Sequence, residues 1–295
     1  MLEQEKKNWY DKTYKKMLIL SLILILLCVG YLGYFVSQNG DVIYKDVSLT
    51  GGTTITVLDP EVDLGALGNF LSVQFPDVLV RGISDLRTGK QQGFFVETSA
   101  DPGEISPALE SYLGYSLNTE NSSVEFTGST ISEGFYAQLK FAMILAFIFM
   151  ALVVFIIFRT PVPSLAVILS AFADIVMTIA LLNLLGISLS TGGIVALLML
   201  IGYSVDTDIL LTTRVLRKKG ESLNSRMYGA LKTGLTMTLT SLIAVLVALI
   251  VIYTFSDVLR QIFTVLLIGL GFDIFNTWIT NASILKWYAE AKGIQ

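Results

Sequence analysis

The 295-residue chain is 53% hydrophobic and 15% charged, and its formal net charge is −4. This apolar content exceeds that of ordinary soluble domains and predicts a membrane protein with several spans and one small soluble domain. A single cysteine excludes a disulfide framework, and the absence of histidine removes the commonest metal ligand and the usual proton carrier near neutral pH. Any proton transport must therefore rest on carboxylates, and the lack of clustered lysine and arginine excludes a nucleic-acid surface.

Six apolar segments are each long enough to cross a bilayer as a helix. They lie at 17–36, 137–158, 164–185, 189–213, 233–253 and 262–285. The flanking segments 1–16, 214–232 and 286–295 hold most of the lysine and arginine residues. The positive-inside rule therefore predicts that both termini lie in the cytoplasm.

The long segment between the first two spans, 37–136, is predicted to fold outside the membrane. Its patterns predict strands at 55–58, 78–83, 94–98 and 124–126, helices at 62–75 and 105–113, and a turn at 87–90. The order β-α-β-β-α-β is typical of a ferredoxin-like α+β unit. The segment also contains a glycosylation sequon at Asn121, although a second match at Asn281 falls in the sixth span and makes the motif weak evidence.

Four aspartates fall within the predicted spans, at Asp174, Asp206, Asp208 and Asp273. A charge at bilayer depth costs roughly 2.5–3.5 kcal/mol on insertion scales, so such residues usually face the interior of a helix bundle. Asp174 lies ten residues into its span, close to the middle of the bilayer. It is interpreted either as a proton carrier or as a neutral acid that is hydrogen-bonded within the bundle.

Asp206 and Asp208 cannot share a helix face, because residues i and i+2 point about 200° apart. Asp206 is deeper in the span by half a turn, and it follows two small residues, Gly202 and Ser204, where another helix could approach closely. Asp208 lies nearer the cytoplasmic end, where it could be solvated. Arg214, two turns beyond Asp206, could pair with a carboxylate or extend to the lipid headgroups.

Asp273 begins a polar stripe on the sixth span that cannot favour lipid. The stripe comprises Asn276, Thr277, Thr280 and Asn281. It is interpreted either as a packing contact between helices or, together with Asp174, as the lining of a hydrated path.

The sequence contains no Walker-type loop, no GxSxG, no HExxH and no cysteine pair. We therefore expect neither an enzyme nor a bound cofactor or metal. Any energy source would be an ion gradient or the ATPase of a partner.

Several segments together resemble the SecD/SecF family of protein-export membrane components, which is related to the resistance-nodulation-division transporters. GYSVDTD followed by LLTTRVLR resembles the signature of the family's fourth span, and DVSLTGGTT at Asp46–Thr54 resembles the glycine-pair motif after the first span. KTGLTMTLTSL is similar to the start of the fifth span, and GFDIFNTWITNASIL is similar to the archaeal branch. Bacterial members usually have Asn-Asp-Thr where this chain has Asp206-Thr207-Asp208, and Ser48 stands where an aspartate often precedes the glycine pair.

The resemblance implies that the protein acts with SecD beside the SecYE channel in the cell membrane, in contact with membrane lipid and a translocating unfolded polypeptide. It implies a proton relay at Asp174 and Arg214, with Asp206, Asp208 and Asp273 as further candidates. It also implies a functional motif in the exterior domain at Asp46, Gly51, Gly52 and Thr53. The exterior segment of about 100 residues suits the SecF branch better than the SecD branch.

Two other functions stay open at this point. One is a self-contained exporter of small solutes from the same superfamily. The other is a structural subunit that stabilises a complex and conducts nothing.

Overall fold

The computed structural model describes residues 9–85, 88–217, 222–252 and 257–293. Its helices are α1 (Trp9–Asn39), α2 (Val47–Thr50), α3 (Leu64–Ser72), α4 (Pro102–Leu113), α5 (Ser129–Phe158), α6 (Pro161–Leu184), α7 (Thr191–Arg217), α8 (Leu223–Ile252), α9 (Asp257–Phe275) and α10 (Ala282–Ala291). Its strands are β1 (Gly52–Val57), β2 (Leu79–Ser84), β3 (Gln91–Thr98) and β4 (Ser122–Thr127). A π-helical segment, Asn276–Asn281, joins α9 to α10 without a break.

The described residues contain six helices that are long and apolar enough to cross a membrane: α1, α5, α6, α7, α8 and the continuous helix from α9 to α10. Together with the four-stranded sheet between α1 and α5, they confirm the predicted fold class. The helices run past the predicted span limits, so the connection predicted at 214–232 is helical up to Arg217 and again from Leu223. Lys6, Lys7, Lys218 and Lys219, which contribute to the predicted orientation, lie outside the described residues.

The inserted domain, residues 40–128, has the predicted β-α-β-β-α-β order. Its sheet has the strand order β2-β3-β1-β4, with every neighbouring pair antiparallel. Alternate strand residues such as Ile55, Phe94 and Val96 point to one face, where they pack with Leu67 and Leu109 of the two helices. The predicted turn at 87–90 begins at a residue outside the described range.

Asn121 lies in the loop before β4, where its side chain makes local hydrogen bonds. Its Nδ2 donates to the Ser116 carbonyl at 3.0 Å, and its Oδ1 accepts from the Asn118 amide at 2.7 Å. The amide that a glycan would occupy therefore already stabilises the loop, and glycosylation there stays a prediction.

The membrane bundle has a buried centre and an apolar exterior. Helix α6 is the most buried span and α7 the next, whereas α1, α5 and α8 leave most of their surface exposed. Large apolar side chains on those outer helices, such as Leu26, Phe149 and Val247, point outward, as expected for surfaces that contact lipid. The central helices are the ones that carry the aspartates.

The RTPVP sequence at 159–163 lies where α5 ends and α6 begins. Helix α5 ends at Phe158, and Arg159 takes a left-handed conformation with φ of 53°. Helix α6 then begins at Pro161, where a fixed φ and a missing N–H suit the first helical position.

Candidate functional site

Asp174, Asp208 and Asp273 converge at the centre of the bundle. They come from α6, α7 and α9, and each side chain is at most 1% exposed. We call these three residues the carboxyl cluster. Because the three helices contact one another along their length, residues far apart in the sequence meet at one depth.

Neutral donors surround Asp174. Ser204 Oγ donates to its Oδ2 at 2.5 Å, and Asn276 Nδ2 donates to its Oδ1 at 2.7 Å. Thr280 in turn donates to the Asn276 side-chain oxygen at 3.2 Å, which fixes the orientation of that amide. Both carboxyl oxygens are therefore held in place by groups that carry no charge.

A single hydroxyl lies between the other two carboxyl groups. Thr277 Oγ1 is 2.9 Å from an Asp208 oxygen and 3.2 Å from an Asp273 oxygen. Because a hydroxyl has one proton, it donates to only one of these acceptors at a time and accepts on its remaining side. Thr277 therefore joins Asp208 and Asp273 through an atom that can both donate and accept a proton.

Further neutral groups complete the cluster. Thr207 Oγ1 is 3.2 Å from Asp273 and 3.4 Å from Thr277, and Thr238 Oγ1 is 3.5 Å from Asp273. Asn281 Nδ2 donates to Asp208 at 2.7 Å. Among the described residues, no lysine or arginine forms an ion pair with any of the three carboxyl groups. The cluster thus places three acids in an apolar interior without a basic partner.

The polar stripe of the sixth span forms the wall of this cluster. All four of its members, Asn276, Thr277, Thr280 and Asn281, are fully buried. The backbone is π-helical there, although the sequence predicts an uninterrupted α-helix. A π-helical turn widens the helix, and such turns are frequent at functional sites.

The structure reverses the expected placement of the aspartate pair on the fourth span. Asp208 is fully buried in the cluster, whereas the Asp206 side chain is exposed on the opposite face. The predicted 200° separation is correct, but the rotation of α7 turns the other residue inward. That rotation depends on how α6 and α9 pack against α7, which the spacing of two residues does not reveal.

Arg214 does not reach the carboxyl cluster. Its Nη2 donates to Thr233 Oγ1 of α8 at 3.0 Å, and the described residues show no ion pair between Arg214 and a carboxylate. Asp206 and Arg214 are thus separate from the three acids that the structure brings together, and their predicted part in a relay stays a prediction.

The glycine-pair motif forms the joint between the inserted domain and the bundle. Asp46 caps α2 by accepting from the Ser48 amide at 3.0 Å, and its own amide donates to the Leu189 carbonyl at 3.0 Å. Gly51 and Gly52 follow with φ of 82° and 142°, conformations that other residues rarely adopt. A side chain at either glycine would also collide with the backbone of neighbouring segments.

Thr53 completes that joint from the first position of β1 that carries a side chain. Its hydroxyl donates to the Ala100 carbonyl at 2.6 Å, and the side chain is fully buried. The four residues of the predicted motif therefore lie together where the segments 46–53, 98–100 and 128–129 pass close to one another.

The same joint reaches the helices that carry the cluster. Ser48 Oγ accepts from the Thr191 amide at 3.1 Å, at the first residue of α7. Gln261 of α9 donates to the Ser188 carbonyl at 2.5 Å and accepts from the Ser190 amide at 2.6 Å. Helix α7 thus runs from the joint to Asp208, and α9 runs to Asp273 from a contact with the loop that leads into α7.

A second contact between the inserted domain and the bundle also belongs to the joint. Asp41 accepts from the Tyr136 hydroxyl and the Val42 amide, both at 2.8 Å, and pairs with Lys45 at 3.4 Å. Burial alone raises the pKa of this carboxyl, but these hydrogen bonds together with Lys140 and Lys45 outweigh burial and hold the pKa below its ordinary value. The ionised form of Asp41 therefore stabilises the joint.

Several residues of the site were not found from the sequence. Thr207 lies between the two aspartates on which the sequence analysis concentrated, and Thr238 lies in the threonine-rich start of the fifth span. Gln261 lies just outside the predicted sixth span. A polar residue at the edge of an apolar segment is a signal for a hydrogen bond to a neighbouring loop, which Gln261 makes with Ser188 and Ser190. Hydroxyl and amide side chains are common where membrane helices meet, so their presence alone does not identify a site.

Comparison with known proteins gives one consistent result. The family described as "Protein export membrane protein SecD/SecF, C-terminal" matches residues 109–291. The protein-export membrane protein SecF of Methanocaldococcus jannaschii is 39% identical over 286 residues, which cover 94% of this chain and 96% of that protein. SecF of Methanothermobacter thermautotrophicus is 41% identical over 255 residues, covering 84% and 85%, and SecF of Pyrococcus furiosus is 36% identical over 289 residues, covering 98% and 95%.

Solved structures share the fold. The crystal structure of SecDF from Thermus thermophilus, described as a translocon-associated membrane protein, superposes with a TM-score of 0.72 at 21% identity. A second SecDF structure, in a super-membrane-facing form, gives a TM-score of 0.57 at 19% identity. The alignments cover 98% and 99% of this chain but only 40% of each SecDF chain.

Proposed function

This chain belongs to the SecD/SecF family of protein-export membrane proteins, and on that premise we propose that it works with a SecD partner to promote protein export at the expense of the proton gradient. The observation that carries this proposal is the carboxyl cluster. Three buried acids with neutral hydrogen-bond partners, and with no basic neighbour among the described residues, would repel one another if all were ionised. The cluster therefore holds at least one proton, and gaining or losing a proton changes the charge at the point where three spans meet.

The route from the cluster to the inserted domain supports coupling between protonation and movement. Helices α7 and α9 each carry one acid of the cluster at one depth and a contact to the joint at one end. A change in charge between them alters their packing and so biases the position of the joint. Because α2 leads directly into β1, that change reaches the sheet of the inserted domain.

The exposed face of α7 supports a membrane partner. Val195, Met199 and Tyr203 are each at least 40% exposed, and Asp206 lies on the same face. Asp206 is eleven residues before the end of α7, roughly 16 Å along the helix, which places it at bilayer depth. A carboxylate facing lipid there is costly, so we propose that a helix of SecD covers this face.

The same proposal includes the orientation of the chain in the membrane and its location in the cell. Both termini lie in the cytoplasm of a cell-membrane protein, so the inserted domain lies outside, where it meets the unfolded polypeptide that leaves the SecYE channel. The concentration of lysine and arginine in the segments 1–16, 214–232 and 286–295 agrees with the positive-inside rule. The domain would hold the emerging chain while protonation of the cluster moves the joint.

Replacing Asp174 by asparagine tests the proposal in cells where the variant is the only copy of this chain. Asparagine keeps the size of the side chain and one acceptor oxygen for Asn276, and its amide nitrogen can donate to the Ser204 hydroxyl, but it cannot bind or release a proton. We expect export of a secreted reporter to fall to the level of cells that lack the chain, while the amount that copurifies with SecD stays normal.

Normal export with normal assembly would exclude the relay and favour a structural subunit. Transport of a small solute by vesicles that contain this chain without SecD would favour the self-contained exporter. Copurification is measured in every case, so a failure to assemble is distinguished from a failure of proton transfer.

A further inference from the structure

An apolar cavity of about 250 Å³ lies on the side of the bundle away from the inserted domain. Its walls come from α1, α7, α8 and the end of the last span. They include Tyr10, Leu211, Met227, Leu231, Trp278 and Ala282. An apolar cavity of about 150 Å³ already stays dry and takes up a small apolar molecule, so this one has room for part of a hydrocarbon chain.

The one side-chain amide of the lining already has hydrogen-bond partners. Asn224 borders the cavity, but its side-chain oxygen accepts from Lys286 Nζ at 2.7 Å and its nitrogen donates to Asp11 at 3.2 Å. Lys286 is also paired directly with Asp11 and is 1% exposed. This network closes the end of the cavity and leaves its wall without a free charge, which disfavours a polar or ionic occupant.

One buried donor nevertheless has no acceptor. Trp278 lines the cavity and is 8% exposed, and within the described part of the chain its indole Nε1 has no hydrogen-bond partner. Leaving such a donor unpaired in an apolar interior costs about 1–3 kcal/mol. A hydrocarbon chain linked to glycerol through oxygen brings both apolar length and an acceptor.

The opening of the cavity faces the membrane. Tyr228, on its border, is 69% exposed on the outer surface of α8. Lys232 is exposed one turn further along the same face. Tyrosine and lysine at the end of a spanning helix are typical of the headgroup level, where lysine attracts anionic lipid.

We propose that this cavity binds one chain of an anionic membrane lipid from the adjoining leaflet, with the headgroup beside Lys232. The proposal rests on the chain spanning a membrane and does not depend on the relay. It has a structural consequence, because Trp278 directly follows Thr277, whose hydroxyl joins two acids of the cluster. A lipid chain against Trp278 packs on the outside of the π-helical segment that forms the wall of the cluster.

Quenching of tryptophan fluorescence tests the site in the full chain, delipidated in detergent micelles. A variant with Trp9→Phe and Trp287→Phe retains Trp278 alone and is titrated with phosphatidylglycerol that has brominated chains. We expect saturable quenching at one lipid per protein, with half-saturation at lower concentration than for brominated phosphatidylcholine at low salt. Trp287 is 50% exposed, so a variant that retains only this residue reports non-specific contact and should show no saturation at that stoichiometry.

Filling the cavity provides the matched control. Ala282→Phe in the single-Trp278 protein should abolish the saturable quenching, and Leu231→Phe provides a second filling variant if the first does not fold. Leu239→Phe, on the exposed side of the same helix as Leu231, should leave quenching unchanged. Absence of saturable quenching, equal quenching in the filled variants, or equal affinity for both lipids would overturn the proposal.

Discussion

Thr277 shows how much of the site depends on a single hydroxyl. It lies within hydrogen-bond distance of two carboxyl groups and of a second threonine, Thr207.

The sequence identified the polar stripe and the acids of the spans as candidates, because placing a charge in the bilayer is energetically costly. It could not show that Asp208 rather than Asp206 faces inward, since a spacing of two residues fixes only their angle to each other. The direction is set by the packing of α6 and α9 around α7.

Replacing Thr277 by valine should separate proton transfer from packing. Valine keeps the shape but removes the shared hydroxyl, so we expect export to fall, with a loss of about 1–3 kcal/mol in stability from the unpaired carboxyl oxygens. Thr277→Ser retains the hydroxyl and should restore export. Reporter export and thermal unfolding of the purified protein measure the two effects, and equal export by the valine and serine variants would exclude Thr277 from the relay.

At the scale of elements, periodicity was enough to predict the inserted domain and the six spans. Alternating apolar residues predicted the strands, and apolar spacing at helical intervals predicted α3 and α4. The π-helical segment was not predicted, because the spacing of its polar residues also fits an α-helix; in the structure its residues hydrogen-bond to Asp174 and Asp208. The glycine pair was recognised by resemblance, and its physical reason, two positive φ angles at a crowded crossing, emerged only from the structure.

Asp41 provides a test of the joint through pH. Its pKa is held below the ordinary value, so its stabilising effect is complete above about pH 4 and is lost as the pH falls through the folded-state pKa. We expect Asp41→Asn to lower the unfolding temperature of the purified protein at pH 7. The difference from the wild type should shrink as the pH falls below about 4. A difference that is constant with pH would mean that the ionised carboxylate does not stabilise the joint.

At the scale of the whole molecule, the bundle has two kinds of outer surface, one wholly apolar and one that contains a carboxylate. Helices α5 and α8 expose apolar side chains that suit lipid, whereas α7 exposes a stripe that ends in a carboxylate. The proposed SecD partner would cover the α7 stripe and shield Asp206 from lipid.

A nitroxide label tests that cover in a Cys28→Ser background. Met199→Cys on the α7 stripe should be accessible to oxygen when the chain is alone in a bilayer and protected when it is assembled with SecD. Ile148→Cys on lipid-facing α5, about as far into its predicted span (137–158) as residue 199 is into 189–213, should stay accessible in both states. Undiminished accessibility at position 199 in the assembled state would place the partner elsewhere.

Proton influx is the most direct test of the central claim, that the carboxyl cluster carries protons which drive export. Vesicles that contain this chain together with SecD are loaded with a pH-sensitive dye, and an inward proton gradient is imposed. We predict influx with the wild type and none above the empty-vesicle rate with Asp174→Asn, at equal amounts of assembled complex. Undiminished influx through the Asp174→Asn complex would contradict the account.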